Sequence, residues 1–166
     1  LHEKRISEPF LAAIEEGVHD ALSRGPLLGY PVIDVEVRLV DAAAHDTDSS
    51  DVSFRAAASM AVSEALEDSS ARLLEPVMEV DVAAPEDFTG AVHADLSTRR
   101  GRVLGMEPRG VSQAIRADVP LAHMVGYATA LRSATQGRAS YSMQFARYSE
   151  VPKDLQGGLV TSIRGY

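Results

Sequence analysis

The 166 residues contain no cysteine. That excludes disulfides and thiolate metal sites and fits a reducing compartment. Asparagine is also missing. No run approaches the roughly 20 apolar residues that span a bilayer, and no secretory signal is visible. There is no Walker-type phosphate loop, and no Gly-x-Gly-x-x-Gly follows a strand pattern. No serine stands in a nucleophile-elbow context. The histidines are His2, His19, His45, His93 and His123. None shares ligand spacing with a second histidine or with carboxylates on one helix face, so no metal site is expected. The chain starts at Leu1 rather than Met. A processed or truncated amino terminus is expected, and any targeting segment upstream would be unreadable.

What is present is an uneven charge. Lys and Arg number 16 against 24 Asp and Glu, a net charge of −8. Residues 1–90 carry 6 basic and 19 acidic residues, a net of −13, whereas residues 91–150 carry 8 arginines and 4 acids, a net of +4. A basic stretch on an acidic chain can meet nucleic acid where the acidic part would not, although a solvated basic face has the same composition. Hydrophobic content of 45% is ordinary for a globular core. The length fits one domain or two small ones.

Periodicity gives the elements. Phe10, Ile14, Val18 and Leu22 recur at helical spacing over 8–23, with Ser7 as cap and Pro9 in the first turn. Ile33, Val35, Val37 and Leu39 alternate with Asp34, Glu36 and Arg38, which predicts a strand. A polar loop, 42–50, leads to a helix over 51–67 with Phe54, Ala58, Ala61 and Ala65 on one side. A second unit starts near Leu74. Its elements are a strand through Met78, Val80 and Val82, a helix opened by Pro85, and a strand over 102–107. A strand over 112–119, a helix over 120–134 and a strand through Tyr141, Met143 and Phe145 follow.

From 74 to 148 the order is β-α-β-β-α-β. This is the split βαβ order of a ferredoxin-like domain, with four antiparallel strands and two helices on one face. The first unit reads helix, strand, helix. One strand leaves two bare edges, so this unit is expected to borrow strands from upstream residues or a partner, and the chain is expected to be a fragment. The fold class is therefore α+β in two small domains: a partial split β-α-β domain over 1–73 and a ferredoxin-like domain over 74–152. Residues 153–166 form a tail.

Four arginines crowd one stretch, ADLSTRRGRVLGMEPRG: Arg99, Arg100, Arg102 and Arg109. Arg99 and Arg100 fall in a helix's last turn, where they suit its dipole, and Gly101 is read as the cap. That role leaves Arg102 and Arg109 unexplained. Guanidinium groups bind phosphates by bidentate hydrogen bonds. His45 lies in a polar loop between strand and helix, where functional side chains concentrate. His93 and His123 read as surface or half-buried helix residues.

LLEPVMEVDVAAPEDF, DLSTRRGRVLGMEPRG and VPLAHMVGYATALRSATQGRASYSMQF resemble the carboxy-terminal part of elongation factor G, the ribosomal translocase. So do GPLLGYPVIDVEVRLVDAAAHDTDSS and FRAAASMA. The resemblance runs from about residue 6 to residue 152. It implies the later part of the family's fourth domain over 1–73 and its fifth domain over 74–152. The family's GTP-binding domain, with its phosphate loop and magnesium site, would lie upstream. No cofactor is expected in this chain, and the chain itself is not expected to be an enzyme.

The resemblance assigns His45, Asp46, Thr47, Asp48, Ser49 and Ser50 to a tip loop that enters the decoding region of the small subunit. There it would meet tRNA and mRNA. Arg99, Arg100, Arg102 and Arg109 become candidates for facing large-subunit RNA near the factor-binding region and the stalk base. The implied partner is the ribosome, with no membrane, and the implied function is tRNA–mRNA translocation. Two features depart from the family's common pattern. Asp41 is followed by Ala42, Ala43 and Ala44 rather than Gly, Ser and Tyr, and the tail GGLVTSIRGY is unusual for translocases. A paralogue that splits ribosomal subunits with a recycling factor is therefore the alternative. The implied location is the cytoplasm or, for the mitochondrial releasing type, the matrix. A more distant reading is an acylphosphatase-like or regulatory ferredoxin-like module. The former needs an asparagine to place water, which this chain lacks, and the latter has no signal beyond topology.

Overall fold

A computed structural model of the chain describes residues 6–45, 47 and 49–156. It divides into two compact units: Leu1–Leu73 with Lys153–Tyr166, and Leu74–Pro152.

The first unit is built on two packed helices, α1 (Glu8–Leu22) and α2 (Asp51–Glu67). Ser7 precedes α1 with extended backbone, and a proline sits in the first turn. The buried positions of α1 are Ala13, Gly17 and Ala21, one turn apart. The expected stripe of Phe10, Ile14, Val18 and Leu22 is half-buried beside them. Small residues lie deepest because α2 comes close: a Cβ at position 17 would collide with the Arg55 carbonyl. Glycine inside a helix costs roughly 0.5–1 kcal/mol relative to alanine, and here close approach offsets that cost. Phe10 and Phe54 stack with ring centroids 4.5 Å apart. Across the same interface Arg55 reaches Glu16 at 2.8 Å and Asp20 at 2.7 Å. Its pKa is raised by the hydrogen bond and charge of Asp20.

On α2 the half-buried stripe is Phe54, Ala58, Val62 and Leu66. The reading that placed Ala61 and Ala65 on it fails, because the contact follows steps of four residues. A second departure concerns the strand expected near residues 33–39. This segment has no ladder partner among the described residues, and no strand forms. Ile33, Val35, Val37 and Leu39 are 44–48% exposed. Alternation marks which side would face a core, but a strand exists only when a neighbour accepts its hydrogen bonds.

The second unit has the expected order. Its strands are β1 (Leu74–Pro85), β2 (Arg102–Arg109), β3 (Ser112–Pro120) and β4 (Ser140–Glu150), with helices α3 (Thr89–Thr98) and α4 (Tyr127–Ala134). They form one sheet in the order β2-β3-β1-β4, and β1 pairs antiparallel with both β3 and β4. Leu74 at the start of β1 faces Glu150 at the end of β4. On one side of the sheet Val80, Val82, Ala84, Ile115, Ala117 and Val119 meet Val92 and Leu96 of α3 and Tyr127 and Leu131 of α4 in a single core.

Both helices begin later than periodicity suggests. Pro85 and Pro120 each precede a short 3-10 turn, Glu86–Phe88 and Leu121–Met124. Before α4 the chain turns at Gly126, with φ 74°. Both helices end alike. Arg100 and Gln136 take positive φ, 60° and 54°, and the next residues, Gly101 and Gly137, donate their N–H to Leu96 and Arg132 carbonyls at 2.8 Å. This is the Schellman arrangement. The left-handed residue at the end of α3 is thus Arg100. Gly101 is required for space, because a Cβ there would strike the Leu96 carbonyl.

Candidate nucleic-acid interface

The two sets of residues singled out by sequence lie in different units. In the loop before α2, the His45 N–H donates to the Ser49 Oγ at 2.8 Å, and the Ser49 N–H donates to the His45 carbonyl at 3.3 Å. Ser50 caps α2: its Oγ accepts the Ser53 N–H, and the Ser53 side chain accepts the Ser50 N–H. Ser49 and Ser50 therefore hold the loop and start the helix. His45 is exposed, and its imidazole makes no hydrogen bond or ion pair with another described residue. Asp46 and Asp48 lie outside the described residues.

In the second unit the four arginines have four different surroundings. Arg99 is folded inward, its side chain 18% exposed. It bonds Asp95 at 3.0 Å and the His123 carbonyl at 2.7 Å, and its guanidinium lies 5.0 Å from the centre of the Tyr127 ring. Arg100 makes a two-pronged bond to Glu75, at 3.2 and 2.7 Å. Arg109 lies on the sheet face away from the helices and reaches both Asp81 oxygens at 3.4 and 3.2 Å. Arg102, at the first position of β2, is exposed and has no partner among the described residues.

That open sheet face is a mosaic of charges. Arg116 pairs with Glu107 at 2.6 Å, Arg147 with Asp118 at 2.8 Å, and Gln144 approaches Glu79 at 3.4 Å. Sequence reasoning missed Arg116 and Arg147. The alternation of β3 contained the signal for Arg116, which faces away from the core. In β4 the alternation through Tyr141, Met143 and Phe145 puts Arg147 on the core side, and only the register shift between Val77 and Met78 turns it to the open face. Their acid partners lie 9 and 29 residues off, and only the sheet order brings them together.

A polar groove of about 440 Å³ on the first unit is lined by Asp20, Ala21, Arg24, Arg55, Ser59 and Ser63, but Arg55 is already held there by acids. Among the described residues no three His, Cys, Asp or Glu side chains gather as metal ligands. No helix among them is long and apolar enough to cross a membrane.

Two family models match the chain. Residues 2–70 match that of elongation factor G, domain IV, and residues 72–158 that of the elongation factor G C-terminus. Among solved structures, a crystal structure of a protein from Thermus thermophilus is similar at 37% identity with a TM-score of 0.90. The likeness covers 97% of this chain and 24% of that one, so the chain spans about a quarter of that relative's length.

Proposed function

Because the chain belongs to the elongation factor G family, we propose that it supplies the ribosome-contacting, mechanical part of a translational GTPase and promotes tRNA–mRNA translocation. An elongation-factor-like role in translation, with the ribosome as partner in general, goes with that membership. The finer reading puts the loop at His45 in the decoding region of the small subunit. It puts the second unit against large-subunit RNA, at the factor-binding region and the stalk base. One observation supports it most: Ser49 and Ser50 are engaged in holding the loop, while the His45 side chain is exposed and has no partner among the described residues.

In this reading His45 acts by contact, not as an acid or base. GTP and Mg²⁺ belong to an upstream domain of the parent factor. The sequence of this chain carries no phosphate loop to hold them. Hydrolysis elsewhere would drive a domain-scale movement of the loop. The reading places the parent in the cytoplasm, or in the mitochondrial matrix for the releasing type.

His45→Ala in the parent factor should slow translocation about tenfold, equivalent to about 1.4 kcal/mol of barrier, while ribosome-stimulated GTP hydrolysis stays nearly unchanged. An equal fall in hydrolysis would sink the tip assignment. Subunit splitting with a recycling factor is the second reading. It is favoured by Ala42, Ala43 and Ala44, which leave the histidine without an aromatic neighbour. A splitting assay run beside a translocation assay separates the two.

A further inference from the structure

We infer that, of the four arginines between residues 99 and 109, Arg102 is the one that binds a phosphate of ribosomal RNA; the inference rests on the ribosome-binding reading above. Each of the other three is neutralised within the unit. Arg99 is enclosed between Asp95, the His123 carbonyl and the Tyr127 ring. Arg100 is bound through two nitrogens to Glu75. Arg109 faces both oxygens of Asp81. A guanidinium already matched to a carboxylate must give that partner up before it can take a phosphate, so it gains little from the exchange.

Arg102 has a carboxylate opposite and does not use it. In the β2–β3 ladder Arg102 is the register partner of Asp118, which is nearly buried. Asp118 is instead bonded by Arg147, from β4. The face therefore carries Arg102, Arg109, Arg116 and Arg147 against Glu79, Asp81, Glu107 and Asp118. Three of these cations have acid partners, Glu79 accepts only a 3.4 Å bond from the neutral Gln144, and Arg102 is the one arginine of the four with no bonded acid among the described residues.

Its backbone is also fixed in advance. It follows Gly101, which the Leu96 carbonyl holds at 2.8 Å, and it opens a strand paired along β3. An exposed guanidinium on a rigid base loses less freedom on binding than one on a loop. Displacing counterions from RNA supplies the affinity. A carboxylate on a ribosomal protein would satisfy the same side chain, but it carries no condensed counterions to release.

The test measures binding of the full 166-residue chain to purified ribosomes over a series of KCl concentrations. Arg102→Gln should reduce the slope of log K against log salt by about 0.7–0.9, the share of one phosphate, and leave the thermal midpoint unchanged. Arg102→Lys should restore most of the slope. Arg116→Gln removes the same charge from the same face but from a paired position, and should change the slope far less. A wild-type slope in Arg102→Gln overturns the inference while ribosome binding stands. Weaker binding at an unchanged slope overturns it in favour of a protein carboxylate. If the wild-type chain does not bind ribosomes at all, the functional reading fails and takes this inference with it.

Discussion

Tyr127 is fully enclosed, and its hydroxyl has no hydrogen-bond partner among the described residues. The ring packs edge-on against Tyr141, centroids 4.8 Å apart, with Arg99 over it. Burial raises the phenol pKa, the Asp95 charge raises it further, and Arg99 lowers it. The folded state therefore favours the neutral phenol beyond the usual value of 10.0. That contribution to stability is fully present below about pH 10 and is lost as pH rises toward the folded pKa. Tyr127→Phe should keep the ring packing, remove an unsatisfied group and leave stability at neutral pH equal or higher by about 1 kcal/mol. The variant should also lose less stability above about pH 10 than the wild type. Urea unfolding from neutral to strongly alkaline pH checks both, and a loss at neutral pH would show that the hydroxyl has a partner after all.

At the scale of the element, the end of α3 combines a cost and a gain in one residue. Arg100 has φ 60°, a conformation costing an L-residue roughly 1–2 kcal/mol, while its side chain holds Glu75 from a half-buried position. Arg100→Gly and Arg100→Ala both delete the ion pair, but only the glycine relaxes the backbone. The alanine variant should be the less stable by about 1 kcal/mol, read from chemical denaturation; equal stabilities would mean that the turn stores no strain. Such ends are partly legible in the sequence. Arg99 and Arg100 are readable as helix-end residues, yet Arg100, rather than Gly101, takes the left-handed position. The partners Glu75, Asp81 and Asp118 are not legible, because each lies 25 to 29 residues from its arginine. Strands β1, β3 and β4 of the second unit are readable because Val80 and Val82, Ile115, Ala117 and Val119, and Tyr141 and Met143 alternate with polar neighbours. Near residues 33–39 the same alternation misleads, since periodicity reports a face and not a neighbour. At 120–126 it runs through Gly126, where the backbone breaks the helix that the pattern continues.

For the whole molecule, the net charge of −8 conceals a division of labour. The basic excess lies in residues 91–150, and the open face of the second unit uses nearly all of its arginines against its own acids. A long-range basic field is therefore not what would draw this face to RNA; a few uncompensated groups at fixed places would be. His45 and Arg102 share that character, being exposed and without a partner among the described residues. The pairing of Leu74 with Glu150 has a consequence of another kind. Neighbouring strands lie about 4.7–4.9 Å apart, so the two ends of the second unit's sheet nearly touch. A short glycine–serine link from Pro152 to Leu74, keeping the buried Val151, with the second unit cut between Gly110 and the exposed Val111, would reorder its sequence without removing a core residue. Such a circular permutant should keep its circular dichroism spectrum and unfold cooperatively, and failure to fold would show that the β2–β3 turn must form before the rest of the sheet can assemble.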